Sequence, residues 1–412
     1  MTLTWAIHRL NGISSPANAA YSADELVHQL TNSGASCLFT VVPLLPVALD
    51  AAAKAGIPRE RIYICELPNQ ATGGAKAPKE FKTLTQLMNE GSSLPDLEPI
   101  KWSKGQGARQ TAFLCYSSGT SGLPVSGRPP WVSIHVQLIS LLQKGVMISH
   151  RNVIANTIQI SKYDQSYRDA FGKDYTEVAL GLLPYSHIYG LIVVCMSSVF
   201  RGDQVIVLPK FDLQHYLQSI SQYKINALYI VPPIIIAMVK NEHLLKKYDL
   251  SSVRSIFTGA APLGPETAEA LQKQHPNWVV RQGYGLTETC TVVCSTIPSD
   301  VWFGSSGCLI AGMEAKLMSA EGNEITGYDQ PGELWVKSPS VVLGYLKNDK
   351  ANKETFVEVH DGRFMRTGDE AVFKVSPNGN EHIWIVDRIK ELIKVKVRLP
   401  TSFNMASCAR TN

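Results

Sequence analysis

The chain has 412 residues and a net charge of only +4, with 45% hydrophobic and 18% charged residues. That is the balance of a globular protein whose core is large enough to divide among about two or three lobes. The weak charge, with no polybasic run and no RNA-type aromatic motif, excludes a nucleic-acid binder. Cysteines are scattered, none in a C-x-x-C pair; Cys290, Cys294 and Cys308 have no histidine at ligand spacing and read as buried thiols rather than zinc ligands. The start, Met1-Thr2-Leu3-Thr4-Trp5, lacks the basic and apolar regions of a signal peptide, and the apolar stretch 191–200 is too short to span a bilayer. The last residues, Ala409 to Asn412, are no peroxisomal address. These features give an intracellular expectation with no transmembrane segment and no visible targeting signal.

In chain order, Ser22-Ala23-Asp24-Glu25 is a helix start with Ser22 as N-cap and Glu25 three residues on. A buried strand is expected at 37–42, a helix at 45–55 ended by Gly56-Ile57-Pro58, and a strand at 61–65. This β-α-β rhythm implies a parallel sheet under covering helices. A strand at 112–116 precedes a loop, and a helix is expected at 150–163. Strands at 178–183, 204–208, 227–231, 255–258 and 279–282 then alternate with helical stretches at 189–200, 212–221, 234–240 and 265–275, consistent with a second parallel sheet. From about residue 300 short strands with turns follow at 315–318, 332–337, 371–374 and 382–386, which reads as a small antiparallel β subdomain. The expected fold class is therefore α/β, with two parallel or mixed-sheet lobes plus this subdomain.

The strand at 112–116 delivers Ser117, Ser118, Gly119, Thr120, Ser121 and Gly122, followed by Leu123-Pro124. Glycines permit a tight turn and hydroxyls add donors to inward-pointing N–H groups, the chemistry of a polyphosphate cradle. The Walker A spacing is absent, and a Ser/Gly linker has the same composition. The nearest following lysine is Lys144, beyond the stretch 125–143. Pro184-Tyr185-Ser186-His187-Ile188-Tyr189-Gly190 follows a strand, so His187 is either a ligand-lining group or a hydrogen-bonded, half-buried histidine. Gly259 and Ala260, at the end of the 255–258 strand, either let a flat ring approach backbone or form a simple turn. In Gln282-Gly283-Tyr284-Gly285-Leu286-Thr287-Glu288, Tyr284 can present its face to an aromatic base, Thr287 can bond a phosphate oxygen and Glu288 can hold Mg²⁺. Asp369 can accept ribose hydroxyls, and Arg388, Lys390 and Lys394 add charge at a domain edge; surface ion pairs are the alternative for these.

Together and in this order, these motifs resemble the adenylate-forming (AMP-dependent synthetase/ligase) superfamily, in particular acyl-CoA synthetases of the 4-coumarate–CoA ligase type. The resemblance implies a carboxylic acid, aryl or fatty, activated by ATP to acyl-AMP and then transferred to CoA, with ATP, Mg²⁺ and CoA as cofactors. It implies that Ser117 to Gly122 and Lys144 hold the β,γ-phosphates, and that His187 lines the acid site near the α-phosphate. Gly259, Ala260, Gln282, Gly283, Tyr284 and Gly285 would bracket adenine and acyl group, Thr287 the α-phosphate, Glu288 the metal, and Asp369 and Arg388 the ribose, with Lys390 and Lys394 in the hinge. Relatives are cytoplasmic or peroxisomal.

Three departures set further expectations. The chain starts within what the resemblance makes the first lobe, so residues 1–386 would be an N-terminal domain incomplete at its start. Residues 387–412 would be a hinge and an aberrant tail, with the C-terminal domain absent. Removing 125–143 joins Pro124 to Lys144 and restores an uninterrupted phosphate loop. Val125-Ser126 and Val397-Arg398 can be encoded by splice-donor sequences and Gln143 by an acceptor end, so two introns read through is one explanation and a genuine insertion the other. Such a chain either retains ligase activity or is a catalytically impaired fragment that at most binds nucleotide or acid.

Overall fold

A computed structural model describes residues 1–69, 73–117 and 143–389. After a short helix, Thr2–Arg9, the helix Ala23–Ser33 starts as its sequence dictates: Ser22 Oγ accepts from the Glu25 N–H, and Glu25 reaches back to the Ser22 N–H at 2.8 Å. The helix Leu45–Ala55 ends at Gly56 in the left-handed region. Both pack on β1 (Leu38–Thr40) and β2 (Ile62–Ile64), which are parallel, around Leu26, Leu30, Ala51, Ile62 and Ile64.

The parallel pairing expected of this segment forms between β1 and β2, and the strand expected at 112–116 lies in a separate sheet. β3 (Thr111–Ser117) instead pairs antiparallel with β4 (Lys144–Ser149), a geometry that needs no crossover helix. Phe113 lies opposite Ile148, both buried, and Ser117 lies opposite Lys144. Ser149 then caps the helix His150–Tyr163 through a capping box with Asn152.

The large sheet forms as its sequence predicts. β5 (Val178–Gly181), β6 (Gln204–Val207), β7 (Ala227–Ile230), β8 (Ser255–Thr258) and β9 (Val279–Leu286) are mutually parallel neighbours. The antiparallel β10 (Thr291–Ser295) and β11 (Cys308–Leu309) extend it to seven strands in the order β11-β10-β9-β8-β7-β5-β6. Helices cover it, which is why β7 is apolar at every position and wholly buried. Leu180, Leu228, Ile256 and the helical Leu217 and Ile220 fill the core, each contributing about 1.5–3 kcal/mol by burial. The stretch expected as an ordinary helix at 189–200 is a buried π-helix, Tyr189–Met196, continued by the α-helix Ser197–Arg201. Such wide turns occur disproportionately at functional sites.

The antiparallel subdomain comprises β12 (Glu314–Met318), β13 (Glu324–Ile325), β14 (Gly332–Lys337), then, beyond β15 (Gly344–Tyr345), the strands β16 (Phe356–Val359), β17 (Gly362–Val375) and β18 (Glu381–Arg388). β15 leaves it to pair with β4, setting Tyr345 opposite Val146. A buried polar knot fixes β18: His382 bonds Ser305 Oγ at 2.8 Å and Asp300 at 3.2 Å, and Asp300 also accepts from Ser376, Asn378 and Asn380. Among the described residues no helix is long and apolar enough to cross a membrane.

Candidate active site

The C-terminal ends of β8 and β9, the start of β4 and the edge of β17 converge, which is where open α/β sheets place ligands. At the β4 end, Lys144 extends its Nζ over the ring of Tyr345, 4.6 Å from the centroid. The Tyr345 hydroxyl donates to Glu288 Oε1 at 2.9 Å, and the Val342 N–H donates to the Glu288 carbonyl at 3.0 Å. The expected phosphate lysine and the expected metal carboxylate are thus bridged by one buried tyrosine. The tyrosine itself stands outside every sequence motif; only the pairing of β15 with β4 brings it in. Burial and the Glu288 charge raise the Tyr345 pKa, so the phenol remains a donor.

Thr287 and Glu288 open a single 3-10 turn after β9. The next residue, Thr289, is buried and spends its hydroxyl on Leu286 and Thr291. Thr287, in contrast, has no side-chain hydrogen bond among the described residues, and Lys144 has no carboxylate partner there. Glu288 Oε2 likewise has no hydrogen-bond partner among the described residues. No group of three metal-ligating side chains occurs among the described residues. One carboxylate beside a free hydroxyl nevertheless suits Mg²⁺, which takes one or two carboxylates and fills its shell with phosphate oxygens and water.

His187 is solvent-accessible at the mouth of the cleft. Its Nδ1 accepts the Tyr189 N–H at 3.2 Å, which assigns the remaining proton to Nε2. Surrounding protein removes enough water to lower its pKa, so the neutral ring prevails near pH 7. Beside it the Tyr189 hydroxyl donates to the Phe257 carbonyl at 2.7 Å. Gly259 is buried, and Ala260 holds a φ of +68°, a strained value for a residue with a side chain.

The β9 residues divide into two kinds. A Cβ on Gly283 would lie 2.5 Å from Phe257 Cζ, and one on Gly285 would lie 1.5 Å from the Thr291 carbonyl oxygen, so close packing demands both glycines whatever binds there. Gln282 is a brace: its Oε1 accepts the Leu263 N–H at 3.0 Å and its Nε2 donates to the Ser305 carbonyl at 3.3 Å. Tyr284 donates its hydroxyl to Asp369 Oδ2 at 2.5 Å, and Arg388 Nε meets Asp369 Oδ1 at 3.1 Å. The carboxylate expected at the ribose therefore ties β9 to the β subdomain. Ser118, Gly119, Thr120, Ser121, Gly122, Lys390 and Lys394 lie outside the described residues.

The fold is that of adenylate-forming proteins. The long-chain-fatty-acid-CoA ligase FadD1 from Archaeoglobus fulgidus superposes with a TM-score of 0.73 at 24% identity, covering 94% of this chain and 69% of that one. ATP-bound MatB from Rhodopseudomonas palustris gives 0.70 at 24% identity, covering 95% and 66%. The chain belongs to the AMP-binding enzyme family, whose model matches residues 1–124 and 142–346. It is similar to the acyl-CoA ligase cm3C of Cordyceps militaris, with 40% identity over 397 residues covering 96% of this chain and 58% of the relative. It is equally similar to the acyl-CoA ligase AKT1 of Alternaria alternata, with 40% identity over 400 residues and coverage of 96% and 64%. The chain thus spans about three fifths of the curated relatives it matches. The family match leaves 125–141 unmatched. Gln143, placed by sequence at the end of that stretch, is buried and accepts hydrogen bonds from Tyr21 and His28.

Proposed function

We propose that the protein activates a carboxylic acid with ATP, giving acyl-AMP and pyrophosphate, and passes the acyl group to CoA, and that this chain supplies the acid- and nucleotide-binding cleft. The observation that carries the reading is the convergence of Lys144 and Glu288 on Tyr345 beside the free Thr287 hydroxyl. Membership of the AMP-binding family and the acyl-CoA ligase names of the relatives support it. In the first step a carboxylate oxygen attacks the α-phosphorus and pyrophosphate departs. In the second the CoA sulfur attacks the acyl carbonyl and AMP departs.

Negative charge crowds the first transition state, so preorganised positive charge and donors lower its energy. Lys144, with the loop from Ser117 to Gly122, holds the β,γ-phosphates; Thr287 donates to the α-phosphate; neutral His187 offers its Nε2 proton where the carboxylate meets phosphorus. Asp369 with Arg388 receives the ribose, Tyr284 and the Gly259-Ala260 turn flank the base, and Lys390 and Lys394 continue the hinge. Glu288 would hold Mg²⁺, which supplies charge neutralisation on the phosphates.

A second reading, binding without turnover, rests on the stretch 125–141, which the family match skips between the phosphate loop and Lys144. ATP–pyrophosphate exchange with a panel of aryl and aliphatic acids separates the two. Acid-dependent exchange supports the ligase reading; saturable AMP binding with no exchange for any acid supports the second. Transcript sequencing bears on the cause, because a spliced message lacking the stretch would mark it as retained intron.

A further inference from the structure

The helix His150–Tyr163 follows directly on β4, the strand that carries Lys144, and it turns a polar face to the interior. Asn152, Asn156 and Gln159 are buried, stand three or four residues apart, and so share one side of the helix. Buried amides persist where their donors and acceptors are matched, and each of these three is engaged. Asn156 Oδ1 accepts the Val292 N–H at 3.1 Å and its Nδ2 donates to the Val292 carbonyl at 2.9 Å, which fixes β10 just beyond the turn bearing Thr287 and Glu288. Gln159 Nε2 donates to Ser338 Oγ at 3.1 Å.

Asn152 holds two parts of the proposed site at once. Its Oδ1 accepts from the Ser149 N–H at 2.8 Å and the Ser149 hydroxyl at 2.7 Å, at the end of β4. Its Nδ2 donates to the carbonyls of Pro339 and Val341, both at 2.9 Å, in the segment 338–343 between β14 and β15. The residues that follow carry both donors that reach Glu288: the Val342 N–H to its carbonyl and the Tyr345 hydroxyl to its carboxylate. Arg363 on β17 closes the other side, donating to the Val342 and Leu343 carbonyls at 2.9 and 3.1 Å. The ladder with β4 holds the chain from Leu343 onward, and the segment ahead of it depends on these side-chain bonds. One amide therefore joins the strand of Lys144 to the segment that orients Glu288.

We infer that Asn152 is a positioning residue for the phosphate half of the cleft, setting the place of Glu288 relative to Lys144. At 4% exposure it has no surface to offer a ligand, so it acts through the segment 338–343. The inference rests on the proposed nucleotide-binding reading and adds a residue to it. The test is equilibrium titration of the whole chain with ATP across a range of Mg²⁺ concentrations, and separately with AMP, so turnover is not required. Melting temperature is followed alongside.

Asn152→Ala is expected to raise the half-saturating Mg²⁺ about tenfold, the usual scale for a group that orients a metal-binding carboxylate, and to leave AMP affinity unchanged. Ser149→Ala removes the hydroxyl partner of the same amide but leaves its grip on the segment; it should lower the melting temperature and keep the wild-type Mg²⁺ dependence. Arg363→Lys loses the planar fork that holds the segment from the β17 side, and it should shift Mg²⁺ in the same direction as Asn152→Ala. Wild-type Mg²⁺ dependence in a folded Asn152→Ala would overturn the inference, as would a parallel loss of AMP or an equal Mg²⁺ shift in Ser149→Ala. Should Asn152→Ala not fold, wild-type Mg²⁺ dependence in Arg363→Lys overturns it. A wild-type chain with no Mg²⁺-dependent ATP binding would overturn the underlying reading, and the inference with it.

Discussion

Tyr345→Phe isolates the link between Lys144 and Glu288. The substitution deletes a hydroxyl that donates to Glu288 Oε1 at 2.9 Å and leaves the ring beneath Lys144 Nζ in place. A hydrogen bond to a charged group contributes about 1.5–3 kcal/mol, and Glu288 is only half-buried, so the lower end applies. That corresponds to about a tenfold loss of affinity for Mg²⁺–ATP. The fold loses little, because the pairing of β15 with β4 and the packing of the ring are unchanged; the melting temperature should fall by about 2 °C. Calorimetric titration with ATP across a range of Mg²⁺ concentrations reads the effect. The half-saturating Mg²⁺ should rise in Tyr345→Phe while metal-free AMP binding stays at the wild-type value. Tyr345→Leu should weaken ATP further by removing the ring under Lys144. Wild-type Mg²⁺ dependence in Tyr345→Phe, or loss of AMP binding in parallel, would refute the link.

Asp300 titrates at about 2 in the fold: burial alone would raise its pKa, but hydrogen bonds from Asn380, Ser376, His382 and Asn378 outweigh it. Its contribution is therefore complete above its unfolded value near 3.8 and lost as pH falls through about 2, on the order of 2 kcal/mol; Asp300→Asn should flatten an acid-unfolding curve followed by circular dichroism. Asp369→Asn should weaken AMP about tenfold, roughly 1.4 kcal/mol, and leave an analogue lacking both ribose hydroxyls unaffected in equilibrium titration. Gly285→Ala should cost about 3 kcal/mol in denaturant unfolding, because the new methyl would overlap the Thr291 carbonyl on β10.

Much of this was legible in the sequence. The alternation of apolar runs and amphipathic stretches between residues 178 and 282 matches the parallel sheet because those strands are buried on both faces. Thr287 and Glu288 stood out because a glycine-rich turn does not explain a hydroxyl and a carboxylate following so closely, and in the structure Glu288 accepts from Tyr345 while Thr287 makes no side-chain hydrogen bond among the described residues. What stayed hidden depends on long-range pairing. Tyr345 enters only because β15 abandons the β subdomain for β4, and no periodicity announces that. Gln282 reads like a ligand group within its motif, yet its amide braces the turn at Leu263. Arg281 reads as one more strand residue until Asp164, far earlier in the chain, pairs with it in the interior. The antiparallel pairing of β3 with β4 was equally hidden, because strand direction is set by the partner, and local sequence carries only strand propensity.

The central claim is that this cleft holds an acid and a nucleotide together. Titration of the whole chain with a non-hydrolysable acyl adenylate, in competition with AMP, tests it most directly. The account predicts saturable binding that AMP displaces and that a Lys144→Ala, Glu288→Gln double variant retains, since the probe lacks the β- and γ-phosphates. Absence of binding, or binding that AMP cannot displace, would contradict it.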